Sequence, residues 1–166
     1  WRGMQNSGGR RIARSFVIDI DTVKFCTTEM LEKYKKYQLV TNYIIEKEKE
    51  VEEYNKTNNI DNSNLVNGRR QTNIGIFRAY LTKYLANCPY INKDMTFMVR
   101  QLAPTEFGIP MQVYAFSSNK EWIKYENIQS DIFDHIFAVV TMFDLKIYQK
   151  PSSNTLENIN NSENIE

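Results

Sequence analysis

Two extended runs joined by a turn limit the possible fold more than any other feature of this chain. Residues 94–118 read "DMTFMVRQLAPTEFGIPMQVYAFSS". The runs flank "PTEFGIP", where Gly108 can supply a turn conformation and Pro104 and Pro110 withhold ladder N–H groups. This is the pattern of a β-hairpin, so the fold must contain an antiparallel pair. An amphipathic helical period stands on each side. Upstream, "QTNIGIFRAYLTKYLANCP" places Ile74, Phe77, Leu81, Tyr84 and Cys88 at steps of 3, 4, 3 and 4, with Pro89 beyond the end. Downstream, "NKEWIKYENIQSDIFDHIFAVVTMF" turns Ile128, Ile132, Ile136, Val139 and Phe143 to one side.

The remaining segments complete an order. "SFVIDIDTVKF" alternates, with Phe16, Ile18 and Ile20 on one face, and predicts a strand. "TTEML" offers Thr27 or Thr28 as a helix cap with Glu29 in the first turn. The helix beginning there carries Met30, Tyr34, Tyr37 and Ile44 along a stripe, and its later turns, "EKEKEVEEYNK", read as a solvated face. The Asn-rich "NKTNNIDNSNLVNG" reads as loop. "LKIYQK" predicts a closing strand, and the polar tail after Pro151 lacks a sustained apolar period. Strand, helix, strand, strand, helix, strand is the split βαβ arrangement. The expected class is α+β, ferredoxin-like, with a four-stranded antiparallel sheet, helices on one face and a helical insertion after the first strand. Residues 1–14, with four arginines and a Gly-Gly pair, read as the exit strand and linker of something upstream, and 151–166 as a disordered tail.

Composition narrows the function classes. The 166 residues fit one domain with a core that needs neither disulfide nor metal. The net charge of +1 supplies no whole-chain field to draw in nucleic acid or anionic lipid. Cys26 and Cys88 share no paired motif and read as small buried apolar side chains in a reducing compartment. No apolar run reaches bilayer-spanning length, and the first residue is Trp1, so the sequence reads as a piece of a longer protein.

Three features could carry chemistry. Asp131, Asp134 and the single histidine, His135, lie within five positions. On a helix Asp131 can reach His135. One histidine with two distant thiols is poor material for zinc, and no second catalytic partner is present. His135 is therefore expected to border the apolar stripe with its charge tuned by Asp131, giving a weak pH dependence of packing. Tyr114 and Phe116 share a face of a predicted strand, as base-stacking aromatics do in RNA-recognition domains, but the accompanying basic and glycine pattern is missing. Gly9-Arg10-Arg11 and Gly68-Arg69-Arg70 lack the lysine and hydroxyl of a phosphate loop. Arginine pairs beside a turn glycine can instead grip carboxylates or anions across an interface. No enzyme activity, cofactor or metal is expected.

Four stretches in order, "WRGMQNSGGRRIARSFVIDIDTVKFC", "NGRRQTNIGIFRAYLTKYL", "MVRQLAPTEFGIPMQVYAF" and "YENIQSDIFDHIFAVV", resemble the cytoplasmic C-terminal portion of the small-conductance mechanosensitive channel family, most nearly its bacterial miniconductance branch. The likeness covers roughly residues 1–151. It implies an inner-membrane protein whose pore helices precede this piece, followed by a small β domain and an α/β domain; residues 1–14 would be the end of that β domain and its linker, and 15–150 the α/β domain. Seven copies would enclose a cytoplasmic vestibule whose side openings pass inorganic ions and small solutes during osmotic down-shock. Membrane contact would lie in the upstream pore, and nucleic acid would not be a partner. Residues 45–67 look like an insertion relative to short family members. Arg10, Arg11, Arg69 and Arg70 are then candidates for seams between domains or subunits, or for the rims of openings. A small-molecule-sensing module and an RNA-binding module are the competing readings.

Overall fold

The structure, a computed structural model, describes residues 8–164. Strand β1 runs Arg10–Ile18, helix α1 Thr28–Tyr34, α2 Thr41–Thr57, α3 Asn73–Ala86, β2 Met98–Gln101, β3 Ile109–Ser117, α4 Trp122–Val139 and α5 Ser153–Glu163. Short 3-10 turns occupy Ile20–Thr22 and Val140–Phe143.

The hairpin forms as expected. β3 is the middle strand of an antiparallel sheet ordered β1-β3-β2. Its register sets Ile12 opposite Ala115, Phe16 opposite Met111 and Val99 opposite Val113. Side chains alternate across a strand, so Ile109, Met111, Val113 and Ala115 all enter the core while Gln112, Tyr114 and Phe116 stay half-buried on the other face. Gly108 sits at φ +134° in the turn, and a Cβ there would meet the Ile18 carbonyl at 2.3 Å. Only glycine fits that approach.

Helices α3 and α4 cover the inner face. Phe16 of β1 meets Phe77 of α3 and Phe133 of α4 edge-on, with centroids 6.2 and 6.1 Å apart. Ile74, Phe77 and Leu81 are buried as the period predicts, but Leu85 and Ile76 complete the face while Tyr84 and Cys88 are only half-buried. Ile128, Ile132 and Ile136 point inward from α4, joined by Phe133. Thr72 caps α3 by accepting from the Gly75 N–H at 3.1 Å, and Thr27 caps α1 by accepting from Met30 at 3.1 Å.

Four expectations need correction. The sheet has three strands among the described residues, not four. Ile147 reaches β1 only as a single bridge to Ile18, with Asp19 N–H donating to Lys146 O and Tyr148 N–H to Val17 O, each at 2.8 Å. β1 ends at that bridge: the Asp19 carboxylate accepts from Asp21 N–H and starts a 3-10 turn, which leaves Ile20 54% exposed rather than on the core face. The helix expected from Thr28 onward breaks over residues 35–40. A straight helix would set Tyr34 and Val40 about 120° apart, whereas the turn buries Tyr34, Val40 and Ile44 together. Thr41 Oγ1 stabilises it by donating to the Lys35 and Tyr37 carbonyls. Arg10–Arg14, expected in the upstream linker, are the first half of β1, and residues 1–7 of that segment lie outside the described residues. The tail expected to be disordered contains α5, eleven residues long and rich in Asn and Ser.

Candidate interface site

The four arginines fall into two separate settings. Arg10 and Arg11 are neighbours on β1 and so point to opposite sheet faces. The Arg10 guanidinium lies 4.3 Å from the centre of the Tyr125 ring on α4. Arg14, two pairs along the same face, covers Phe133 at 4.5 Å. These guanidinium groups shield the flank of α4 where β1 is the sheet edge. Arg11 is exposed on the other face, and its carbonyl accepts from the Tyr125 hydroxyl at 2.5 Å.

Arg69 and Arg70 precede α3 at the close of the insertion. Arg69 Nη1 reaches Glu50 at 3.0 Å, and its guanidinium lies 5.5 Å from the Tyr54 ring centre. Arg70 donates to the Arg69 carbonyl at 2.7 Å and to Asn62 Oδ1 at 2.8 Å. The residue that organises this segment is Asn55, only 5% exposed, which sequence reading passed over as part of a charged helix. Its side chain donates to Arg69 O at 3.0 Å and accepts from Arg69 N–H at 2.9 Å. Its carbonyl accepts from Ile60 N–H. Gly68, at φ +69°, brings the backbone so close that a Cβ would lie 2.3 Å from Asn55 Oδ1. An Asn in a helix rich in Glu and Lys carries no signal for this. The Gly68 turn was the available clue.

His135 has a different partner from the one its sequence suggests. The Tyr80 hydroxyl is hydrogen-bonded to Nε2 at 2.7 Å, and the Tyr84 ring stacks on the imidazole at 3.9 Å and 1°. Both tyrosines come from α3, so the histidine ties α3 to α4 rather than pairing with Asp131 on its own helix. Burial holds its pKa below the ordinary value. Among the described residues, no group of three or more His, Cys, Asp or Glu side chains could hold a metal ion.

A second polar centre was not anticipated. Asp144 adopts a left-handed conformation, φ 56°, and ends the last 3-10 turn. Its carboxylate accepts from Tyr34 at 2.5 Å and Lys33 at 2.9 Å. Burial pulls this carboxyl upward, but the Tyr34 and Lys33 hydrogen bonds outweigh it, and the pKa lies below the usual carboxylate value. Fully buried Asn73 joins the same junction, accepting from Lys24 N–H at 3.0 Å and donating to Thr22 O at 2.9 Å. Cys26 is buried beside it, and burial with the Asp144 charge pushes the thiol up to about 12. Such a thiol is unreactive at neutral pH.

Surfaces remain for partners. The outer sheet face shows half-buried Tyr114 and Phe116, set edge-on at 5.7 Å. At the end of the sheet where β1 begins and β3 finishes, Trp122 and Ile123 are each 65% exposed and Tyr90 58%. This end is tied together by Ser118 N–H donating to Tyr90 O at 2.8 Å and Asn92 Nδ2 donating to Gly8 O at 2.6 Å. These three large apolar side chains near one end of the sheet are left open to solvent. Among the described residues no helix is long and apolar enough to cross a membrane. Residues 72–147 match the family described as mechanosensitive ion channel MscS, C-terminal.

Proposed function

We propose, from the premise that residues 72–147 of this chain belong to the C-terminal domain of the small-conductance mechanosensitive channel family, that the protein is a wall segment of a cytoplasmic cage beneath a channel pore. Identical copies, seven in the full channel, pack around an axis through heterologous contacts. Ions and small solutes pass between them when osmotic down-shock opens the pore in the inner membrane. The carrying observation is the family match itself, which spans α3, the hairpin and α4. The half-covered outer sheet face and the exposed Tyr90, Trp122 and Ile123 support it, because a domain that stands in a ring needs surfaces for its neighbours. In this reading the Ile147 bridge stands where the fourth strand of the split βαβ arrangement would lie.

The arginine pairs divide the seam role between them. Arg11 is the solvent-facing candidate and faces a neighbouring domain or subunit. Arg69 and Arg70 act first within the chain, holding the insertion whose surface faces an opening. Arg11→Glu in the full-length channel tests the seam directly without cutting an internal side-chain bond. It is expected to weaken assembly, seen as a shift to smaller oligomers, or to alter ion preference. Unchanged oligomer size, conductance and selectivity would remove Arg11 from the seam.

A further inference from the structure

A pocket of about 300 Å³ opens between the turn that joins α1 to α2, the middle of α3 and the end of α4. Its walls are Tyr37, Tyr80, Phe143, Leu39, Val139 and Met142, with Gln38 at the turn. No charged side chain lines it. The three rings are mutually inclined: Tyr37 meets Phe143 at 5.2 Å and 70°, and Tyr80 meets Phe143 at 5.1 Å and 48°. Phe143 is buried as the floor, while Tyr37 and Tyr80 are half-buried.

The tyrosine hydroxyls are turned to other work. Tyr37 donates to the Met142 carbonyl at 2.8 Å, and the Tyr80 hydroxyl is engaged with His135 at 2.7 Å. Each bond fixes the orientation of a ring that lines the pocket. Inclined rings with negative faces, a methionine and no competing cation form a setting suited to a methylated ammonium group. Such a group is too bulky and too weakly hydrated to need hydrogen-bond acceptors. The volume suits a small ligand. A carboxylate would meet the negative ring faces, and a primary ammonium would lose water with only Gln38 and the two tyrosine hydroxyl oxygens as acceptor side chains to replace it.

We propose that this aromatic pocket binds a small solute bearing a quaternary or otherwise methylated ammonium group. Binding would join the α1–α2 turn to the end of α4 and so couple the insertion to the part of the chain that matches the channel family. This goes beyond a passive wall: it gives the domain a solute-responsive contact.

The test uses the 166-residue chain labelled with nitrogen-15 and titrated with choline and, separately, with 3,3-dimethyl-1-butanol, its uncharged isostere. Choline is expected to give saturable amide shifts concentrated at Tyr37–Leu39 and Thr141–Phe143. The uncharged isostere should bind about fivefold or more weakly, within the range that a cation over aromatic faces contributes. Tyr37→Leu should abolish the preference for choline, and Tyr37→Phe should keep it, since both lose the bond to Met142 O but only the former loses the ring. Equal binding of choline and its isostere would make the pocket merely apolar and overturn the proposal. So would the absence of saturable shifts, or equal loss in the Phe and Leu variants. The choline-to-isostere comparison needs no variant, so it stands even if Tyr37→Leu fails to fold.

Discussion

The layer formed by β1, β3, α3 and α4 and the insertion from α2 to Arg70 are held together by different forces. In the layer, Phe16, Phe77, Phe133 and Phe143 interlock, and Ile12, Met111, Leu81 and Ile136 lose nearly all solvent contact. Burial of apolar area dominates there. In the insertion only Ile44 and Asn55 of α2 are buried, and the loop is fastened by the Asn55 hydrogen bonds, while exposed ion pairs such as Arg69–Glu50 add little. The layer is set by many weak, non-directional contacts. The insertion depends on a few directional ones. The first can absorb a conservative change by repacking, whereas the second opens locally when one side chain is cut.

The sharpest way to break this contrast is Phe77→Ala. It removes a fully buried ring that touches both Phe16 and Phe143, and should cost about 3–5 kcal/mol, read as a large drop in denaturation midpoint for the whole domain. A loss confined to α3 would show that the layer is not one cooperative unit. Asn55→Ala should cost less, about 1–3 kcal/mol for leaving the Arg69 N–H without its side-chain partner and the Arg69 C=O with Arg70 alone, and in a different place. Hydrogen exchange should accelerate across residues 58–70 while protection in α3 and α4 persists. Global unfolding with no local phase would mean that the insertion is integral to the core.

The third test reads the join between α3 and α4. Burial depresses the His135 pKa, so the unfolded chain binds a proton more readily than the folded one. Stability from this site is fully present above the unfolded value of about 6.5 and falls as pH drops from there toward the lower folded pKa. Chemical denaturation between pH 8 and 5 should show that decline, and His135→Gln should flatten it. Because His135 is the only histidine, the assignment is direct. An identical slope in the variant would place the pH dependence elsewhere than at His135, and not at Asp144, whose depressed carboxyl pKa makes a contribution that is lost only at more acid pH. The smallest expected effect is from Glu50→Gln. The Arg69–Glu50 pair is solvent-exposed and screened, so no resolvable change in Tm should follow. A clear loss would mean that ion pairs, rather than Asn55, hold the insertion.

Much of the layer was legible in the sequence, because periodicity is local. The steps through Ile74, Phe77 and Leu81, the Ile128–Ile132–Ile136 stripe, the Thr27 cap and the turn at Gly108 each rest on residues a few positions apart, and each appears in the structure. The resemblance to the channel family lay in ordered stretches, and residues 72–147 match that family's C-terminal domain. The candidate site was less legible. Arg69 and Arg70 could be singled out as a basic pair, but their attachment to Glu50, Asn55 and Asn62 could not, since it depends on how a loop folds back over a helix.

What the sequence determined by itself is therefore the kind and order of β1, α3, the hairpin and α4, and which sides of α3, α4 and β3 are apolar. These follow from backbone geometry repeating every two or about 3.6 residues. The tertiary structure alone decided how the chain ends meet and which polar groups pair: that Ile147 makes one bridge instead of a strand, that α1 and α2 part at residues 35–40, that His135 joins Tyr80 and Tyr84, and that Asp144 receives Tyr34 and Lys33. The physical reason is the same in each case. A hydrogen bond is short-ranged and directional, so its partner is chosen only after apolar burial has brought distant segments within about 3 Å of one another.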